Sequence, residues 1–383
     1  MATGSLVARG AVIATAMVFG LTYSLAAALI ALDLAEQGLG EAAIGANAAM
    51  QAVGVLAMAF ALPRLTAFLG IRRAVVGSLL SAAILLLAFP ALPFLWLWFA
   101  LRILLGAASE VLFVLSETWL NALTAEETRA RAMGAYTTAL SLGFALGPLI
   151  LSAVGSDGML PYAVGAALAA VAACFVVWPG IEAPPFERPA VGNPLQAVRL
   201  APVAMAATAL TAGVETAGLS FLALYAMATG WPEAEATQLI SCMMIGAIVL
   251  QLPIGWLGDK VDRRRLIVAL AALSSLGALI WPFALEAAPW ILFVVLFVWG
   301  GAFVGIYTII LSIVGSRFSG DALVGIYAGM GLTWGAGALA GPLLAGLAMH
   351  ASPHGLPLFV ALVCALFAAA SLLFRDAPPK ALR

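Results

Sequence analysis

Charge is what this chain has least of. Only 9% of its 383 residues are Asp, Glu, Lys or Arg, 64% are hydrophobic, and the mean hydropathy is +1.12. A soluble globule is about half apolar and a quarter charged, so a water-soluble fold is excluded. A net charge of −1 gives no electrostatic case for nucleic acid. The three cysteines, Cys174, Cys242 and Cys364, lie inside apolar runs; they are expected to be small core residues, not a disulfide framework. There is no Cys/His cluster to hold a metal. Nor is there a G-x-x-x-x-G-K-(S/T) run or a nucleotide domain, so neither ATP drive nor any cofactor is expected. No loop is long enough for a catalytic domain.

What the chain does have is apolar runs of roughly 20 residues, the length that crosses a bilayer as a helix. The alternating ten-residue strands of a membrane barrel are missing. Twelve spans are expected, at about 9–32, 42–66, 73–91, 94–122, 129–153, 159–179, 201–228, 233–256, 265–284, 288–315, 321–349 and 355–374. The run Gly10 to Leu32 is too long for a signal-peptide core and is expected to be a retained first span. Loops are short except where Pro179-Gly180 opens a proline-rich, charged segment reaching Pro194. The expected organisation is an N-terminal six-helix bundle over 1–180, a cytoplasmic linker over 181–200 and a C-terminal six-helix bundle over 201–383. With both termini inside, every Lys and Arg except Arg102 falls on a cytoplasmic segment. The outer loops hold Asp33, Glu36, Glu41, Asp157, Glu233, Glu235 and Glu286.

The chain repeats itself. Gly20-Leu21-Thr22-Tyr23 lines up with Gly213-Val214-Glu215-Thr216 at an offset of 193. Leu69 to Arg73 lines up with Val261 to Arg265 at 192, and Gly143-x-x-x-Gly147-Pro148 with Gly337-x-x-x-Gly341-Pro342 at 194. Three landmarks at nearly one offset imply two homologous halves. That layout places a solute at mid-membrane between two rocking bundles.

One polar island interrupts the hydrophobic runs. From Gly255 to Arg265 it reads Gly-Trp-Leu-Gly-Asp-Lys-Val-Asp-Arg-Arg-Arg, with six charged residues among eleven. Such a run cannot sit in hydrocarbon and belongs at a membrane face. Gly255 and Gly258 would let two backbones approach closely, and Asp259 among cations is suited to a contact that is made and broken. The first-half copy has Pro63 for Gly255 and Ala67 for Asp259, so only one half keeps the acid.

Most charge within the membrane lies on the fourth span. Arg102, Gly106, Glu110 and Glu117 fall within roughly 80° on one helical face. A charge at the bilayer centre costs about 2.5–3.5 kcal/mol on the lenient scale, so this face should look into a cavity. Glu215 is the mid-span acid of the second half. A carboxylate sunk among apolar groups favours its neutral form, as a reversible proton carrier requires. Glu110 and Glu215 are therefore the candidate protonation sites, with Arg102 holding Glu110 charged. Glu117, Trp119, Tyr23, Asn47, Gln51, Tyr136, Gln251, Tyr307 and Trp334 are mid-span polar or aromatic groups suited to lining a cavity. Trp96, Trp98, Trp178, Trp231, Trp256 and Trp290 lie near span ends, as an interfacial belt does. His350 and His354 flank an outer loop and are expected to be solvated.

These motifs resemble the major facilitator superfamily of transporters. Gly255, Asp259, Lys260, Arg263 and Arg264 fall on its loop signature G-x-x-x-D-(R/K)-x-G-R-(R/K), with Asp262 where glycine is usual. Arg102-x-x-x-Gly106 resembles its fourth-span signature, whose arginine is linked to proton coupling. Gly143-x-x-x-Gly147-Pro148 partly resembles its fifth-span antiporter signature. Glu117-x-Trp119-Leu120-Asn121 with Glu127-Thr128-Arg129-Ala130-Arg131 is similar to the YcaD-like bacterial branch. The resemblance implies an all-α membrane protein of twelve transmembrane helices in two pseudo-symmetric six-helix bundles. It implies a cytoplasmic latch of Gly255, Asp259, Lys260, Arg263 and Arg264 facing the start of the fifth span, where Thr124-x-x-Glu127 reads as a capping box beside Arg129 and Arg131.

The expected protein is a secondary active transporter of the bacterial inner membrane, working by alternating access. It moves a small organic solute, coupled to protons, with export favoured. Its expected partners are that solute, protons and the lipid bilayer, and it acts as a monomer. A sodium-coupled or uncoupled facilitator is the alternative in the same class, and a membrane enzyme, a scaffold or a channel is less well supported.

Overall fold

The computed structural model describes residues 2–92, 94–178, 181, 183–184, 199–318 and 320–374. They form α1 (Ala2–Glu36), α2 (Glu41–Leu69), α3 (Ile71–Ala91), α4 (Leu95–Ala122), α5 (Glu126–Val154), α6 (Leu160–Val177), α7 (Pro202–Ala228), α8 (Glu233–Val249), α9 (Gln251–Lys260), α10 (Arg263–Glu286), α11 (Pro289–Arg317), α12 (Gly320–Ala351) and α13 (Gly355–Leu373). Among the described residues, twelve stretches are long and apolar enough to cross a membrane, α8 and α9 together supplying the stretch Glu233–Lys260. Most of the linker over 179–194 lies outside the described residues, as do Arg375, Lys380, Arg383 and the side chain of Glu127.

Local chemistry sets where the helices begin, break and end. Proline occupies the first turn of α6, α7 and α11, where a missing N–H costs nothing. The α8–α9 break at Leu250 lies just before Pro253, which cannot donate back to the preceding turn. Gly70 alone joins α2 to α3, and its φ of 76° is one that glycine adopts freely. Asp262 caps α10 by accepting from the Arg265 N–H at 2.8 Å, so an acid serves where the family signature has glycine. The capping box at α5 does not form. Ala125 is the N-cap, and the Thr124 hydroxyl donates back to the Leu120 carbonyl at 2.7 Å.

Several cations complete helix ends. The last carbonyls of a helix have no partner within it and carry partial negative charge. Arg72 donates to the carbonyls of Val176, Val177 and Trp178 at the end of α6. Arg264 does the same for Ser371, Leu372 and Phe374 at the end of α13. These two arginines are the pair aligned by the sequence repeat. Arg9 likewise donates to the Leu123 carbonyl after α4, at 2.7 Å.

Contacts divide the chain into two units. One comprises Met1–Gly38, Met50–Arg188 and Glu233–Ser241. Its core gathers Phe19, Leu112, Leu115, Trp119 and Tyr136, and Gln238 of α8 donates to Ser152 of α5 at 2.9 Å. The other comprises Leu39–Ala49, Pro189–Pro232 and Cys242–Arg383. There the start of α2 lies on α12. A methyl group at Gly45 would overlap the Pro342 carbonyl, and Glu41 and His350 approach to 3.6 Å. His350 is exposed, as expected, whereas His354 is half-buried and meets the Tyr225 hydroxyl at 3.0 Å. Cys364 is buried, but Cys174 is exposed on the helix surface and is not a core residue.

Glycine seams fix the register within each unit. Added methyl groups at Gly54, Gly106, Gly143 and Gly147 would overlap the carbonyls of Ile103, Gln51, Met17 and Leu21. At Gly246, Gly300, Gly337 and Gly341 they would overlap those of Phe297, Met243, Ala209 and Gly213. The two sets match residue for residue, with α1 and α2 offset by 192 and α4 and α5 by 194. This corrects the sequence alignment of the first span by one residue. Leu21, not Gly20, is the counterpart of Gly213, and Tyr23, not Thr22, is the counterpart of Glu215. The hydroxyls agree, since Ser24 donates to the Leu21 carbonyl and Thr216 to that of Gly213.

The capping role of Arg264 predicts that Arg264→Met lowers stability in detergent by about 1–3 kcal/mol, the range for hydrogen bonds to a charged group. Arg265→Met, at an exposed side chain, should change it by no more than about 0.5 kcal/mol. Thermal unfolding of the two variants side by side checks this, and equal shifts would remove the role.

Candidate functional site

Glu215 comes to its place through α7, the helix that packs most closely on α12 through the Gly213–Gly337–Gly341 seam. Its half-buried side chain faces a narrow cavity lined by Val214, Met243, Met244, Ala247, Trp299, Gly300, Phe303 and Val304, with room for about one water molecule. Trp299 is held over this cavity by donating to the Ser274 carbonyl at 2.8 Å and by stacking on Phe303 at 4.9 Å. Glu215 is the titratable group among these residues, and no hydrogen bond or ion pair reaches it among the described residues.

In the first unit, Glu110 is half-buried on α4, also without an ion pair or hydrogen bond among the described residues. The expected Arg102–Glu110 pair does not form. Eight residues of helix separate them by about 12 Å along the axis. Arg102 is 2% exposed and instead donates to the Ala26 carbonyl at 3.1 Å, with Tyr23 and Tyr162 as its electrostatic neighbours. Tyr162 in turn donates to Asp33 at 2.8 Å. The Arg102 Nε, the Gln51 Nε2 and both amide atoms of Asn47 are buried without hydrogen-bond partners among the described residues.

The other expected lining groups divide. Trp119 and Tyr136 belong to the apolar core, with the Tyr136 hydroxyl 3.0 Å from Ser116, so they support the bundle instead of lining a cavity. Tyr23 is half-buried and packs edge-on to Phe19 and Phe144. Tyr307 and Trp334 meet edge to face at 5.7 Å, both half-buried, as are Glu117 and Gln251. Among the expected belt tryptophans, Trp96, Trp178, Trp256 and Trp290 are exposed, whereas Trp98 is 2% exposed and donates to the Leu92 carbonyl.

The polar island forms the end of α9 and the start of α10. Asp259 is exposed and pairs with Arg263 at 3.4 Å, and Arg263 also donates to the Gly258 carbonyl. Lys260 lies 5.9 Å from the Trp256 ring centre. A methyl at Gly258 would run into Ile309 of α11, but at Gly255 it would meet nothing, so the close approach expected of Gly255 is absent. Arg129 and Arg131 are exposed near the start of α5.

The family model for the Major Facilitator Superfamily matches residues 12–231 and 203–383. This chain belongs to the Major Facilitator Superfamily. It is 24% identical over 276 residues to an uncharacterized MFS-type transporter, YfkF, of Bacillus subtilis (strain 168), which covers 69% of each chain. Its fold is similar to a crystal structure of a mutant of the nucleoside transporter NupG, with a TM-score of 0.79, 14% identity and coverage of 96% of this chain and 99% of that one. It is also similar to the D-xylose-proton symporter, with a TM-score of 0.77, 14% identity and 98% coverage of both chains. The chain is thus a multi-pass membrane transporter, a class distinct from enzymes.

The transporter's sequence did not single out the walls around Glu215. Met243, Met244, Trp299, Phe303 and Val304 look like ordinary core residues of apolar spans. The signal that finds Val304 is the repeat, since it stands 194 positions after Glu110.

The seams predict that Gly106→Leu and Gly300→Leu each destabilise the detergent-solubilised transporter by about 1–3 kcal/mol or more, because the side chain meets backbone. Gly255→Ala, within α9 and in open space, should be neutral or stabilising by up to about 1 kcal/mol. Thermal unfolding distinguishes the two kinds of glycine.

Proposed function

We propose that this transporter moves a small organic solute by alternating access, coupled to protons carried on Glu215 and Glu110. It is placed in a bacterial inner membrane as a monomer with both termini cytoplasmic, and Asp259 with its neighbouring cations latches the cytoplasmic side. The observation that carries the coupling is Glu215 itself: an acid without a partner among the described residues, at a cavity of one water, on a membrane-spanning helix. Keeping such a group ionised is costly, so the protein gains by letting it take up and release a proton. Burying a polar group with no partner costs about 1–3 kcal/mol. Asn47, Gln51 and Arg102 are therefore read as groups that solute or water satisfies. One structural neighbour is a proton symporter, but at 14% identity that likeness concerns the fold alone.

The test is transport into proteoliposomes of a solute found by thermal-shift screening of metabolites and drugs. Glu215→Gln should abolish accumulation driven by a pH gradient, by tenfold or more, while solute exchange without a gradient continues. Unchanged gradient-driven accumulation would remove Glu215 as the carrier, and drive by a sodium gradient in place of protons would favour the sodium-coupled reading. Asp259→Asn removes an exposed pair that contributes little to stability. It should leave the thermal midpoint unchanged and slow transport about tenfold, equivalent to about 1.4 kcal/mol on the limiting barrier.

A further inference from the structure

We propose that Glu110 and Glu215 are one site built twice, with the acid rooted on opposite walls: on α4 in the first half and on α7 in the second. This rests on the proton-coupling reading above and gives it a geometry. Gly106 against the Gln51 carbonyl and Gly300 against that of Met243 are the same contact in the two halves, as are Gly147 against Leu21 and Gly341 against Gly213. The same offsets pair Glu215 with Tyr23, Met243 with Gln51, Phe303 with Ser109 and Val304 with Glu110.

Glu215, Met243, Phe303 and Val304 line a single cavity in the second unit. Their counterparts are Tyr23, Gln51, Ser109 and Glu110, all in the first unit. Each half therefore has one carboxylate at this junction. Where α7 carries Glu215, the facing wall has Val304; where α4 carries Glu110, the wall that matches Glu215 has Tyr23. Two acids across so small a space would repel, and one is enough to hold a proton. The Glu215 cavity has room for no more than about one water molecule, so a carboxylate issuing from either wall opens on the same small space. Which helix bears the acid is then secondary, and position 304 can replace position 215.

The experiment moves the acid across the cavity. Full-length wild type, Glu215→Ala and the double variant Glu215→Ala/Val304→Glu are placed in liposomes. The band of the protonated carboxyl group is followed by infrared difference spectroscopy against pH, with the proton itself as the probe. Glu215→Ala should lose one titrating band, and the double variant should regain it with a midpoint within about one pH unit of wild type. A relocated glutamate that stays ionised throughout, or titrates further away than that, would overturn the proposal. The matching exchange in the first half, Glu110→Val/Tyr23→Glu, is read in the same way and decides the matter should the first double variant not fold. Failure of the coupling reading is separable: Glu215→Ala would then keep gradient-driven transport, whatever the infrared bands do.

Discussion

Backbone-to-backbone contact through glycine is the constraint on which this structure depends. Helices in a bilayer gain little from hiding apolar side chains from one another, because lipid is equally apolar. They associate where small residues let the main chains touch. Four glycines that match between the halves do this in each, every one against a carbonyl of a neighbouring helix. A contact of that kind tolerates no slippage, since one residue of shift replaces glycine with a side chain. The seams therefore determine which groups from α4 meet α2, and which from α11 meet α8. The positions of Glu110 and Glu215 follow from packing and not from any attraction of their own.

Much of this was legible in the sequence. Twelve apolar runs of bilayer length could only be membrane helices, and the near-constant offset of three motifs revealed the duplication. The one-residue error in the first span shows where such reading stops. Gly20 and Gly213 match by type, yet Gly20 packs against Leu140 and Phe144 while Gly213 packs against Gly337 and Gly341. Residue identity does not say which face of a helix a glycine serves; contact does. The Arg102–Glu110 pair failed for a related reason. Sharing a helical face is necessary for an ion pair, but two turns of rise put the groups beyond reach. Thr124 does not cap α5 because the helix starts one residue later, at the Ala125 N-cap, and the Thr124 hydroxyl donates to the Leu120 carbonyl one turn back.

The cations fall into two kinds that sequence alone does not separate. Arg72 and Arg264 each hold three carbonyls at the end of another helix. Their duplication belongs to the architecture, and it explains why the first-half island keeps its arginines after losing its glycine and acid. Asp259 and Arg263 form a pair at the surface, whose Coulomb energy water and salt screen. A weak pair suits a contact that must be exchanged for another during transport, whereas a strong one would hold the protein in one state.

A similar economy applies to the acids. A carboxylate paired with arginine would remain ionised through the cycle and carry nothing. Arg102 is kept away from Glu110 and satisfied in part by the Ala26 carbonyl, with phenols as its neighbours. Glu215 is surrounded by methionine, tryptophan, phenylalanine and valine, none of which competes for its proton. A polar, roomy cavity would stabilise the charge and let the proton leak to solvent. Under the proposed coupling, a cavity this small and apolar keeps the ionised form costly, so that proton occupancy would depend on the neighbouring helices. Trp299 and Phe303, stacked against each other and fixed to α10 through Ser274, form the wall whose movement would change that cost. Under the proposed coupling, control over the acid would lie in apolar side chains on α11, the helix whose first-half counterpart carries Glu110.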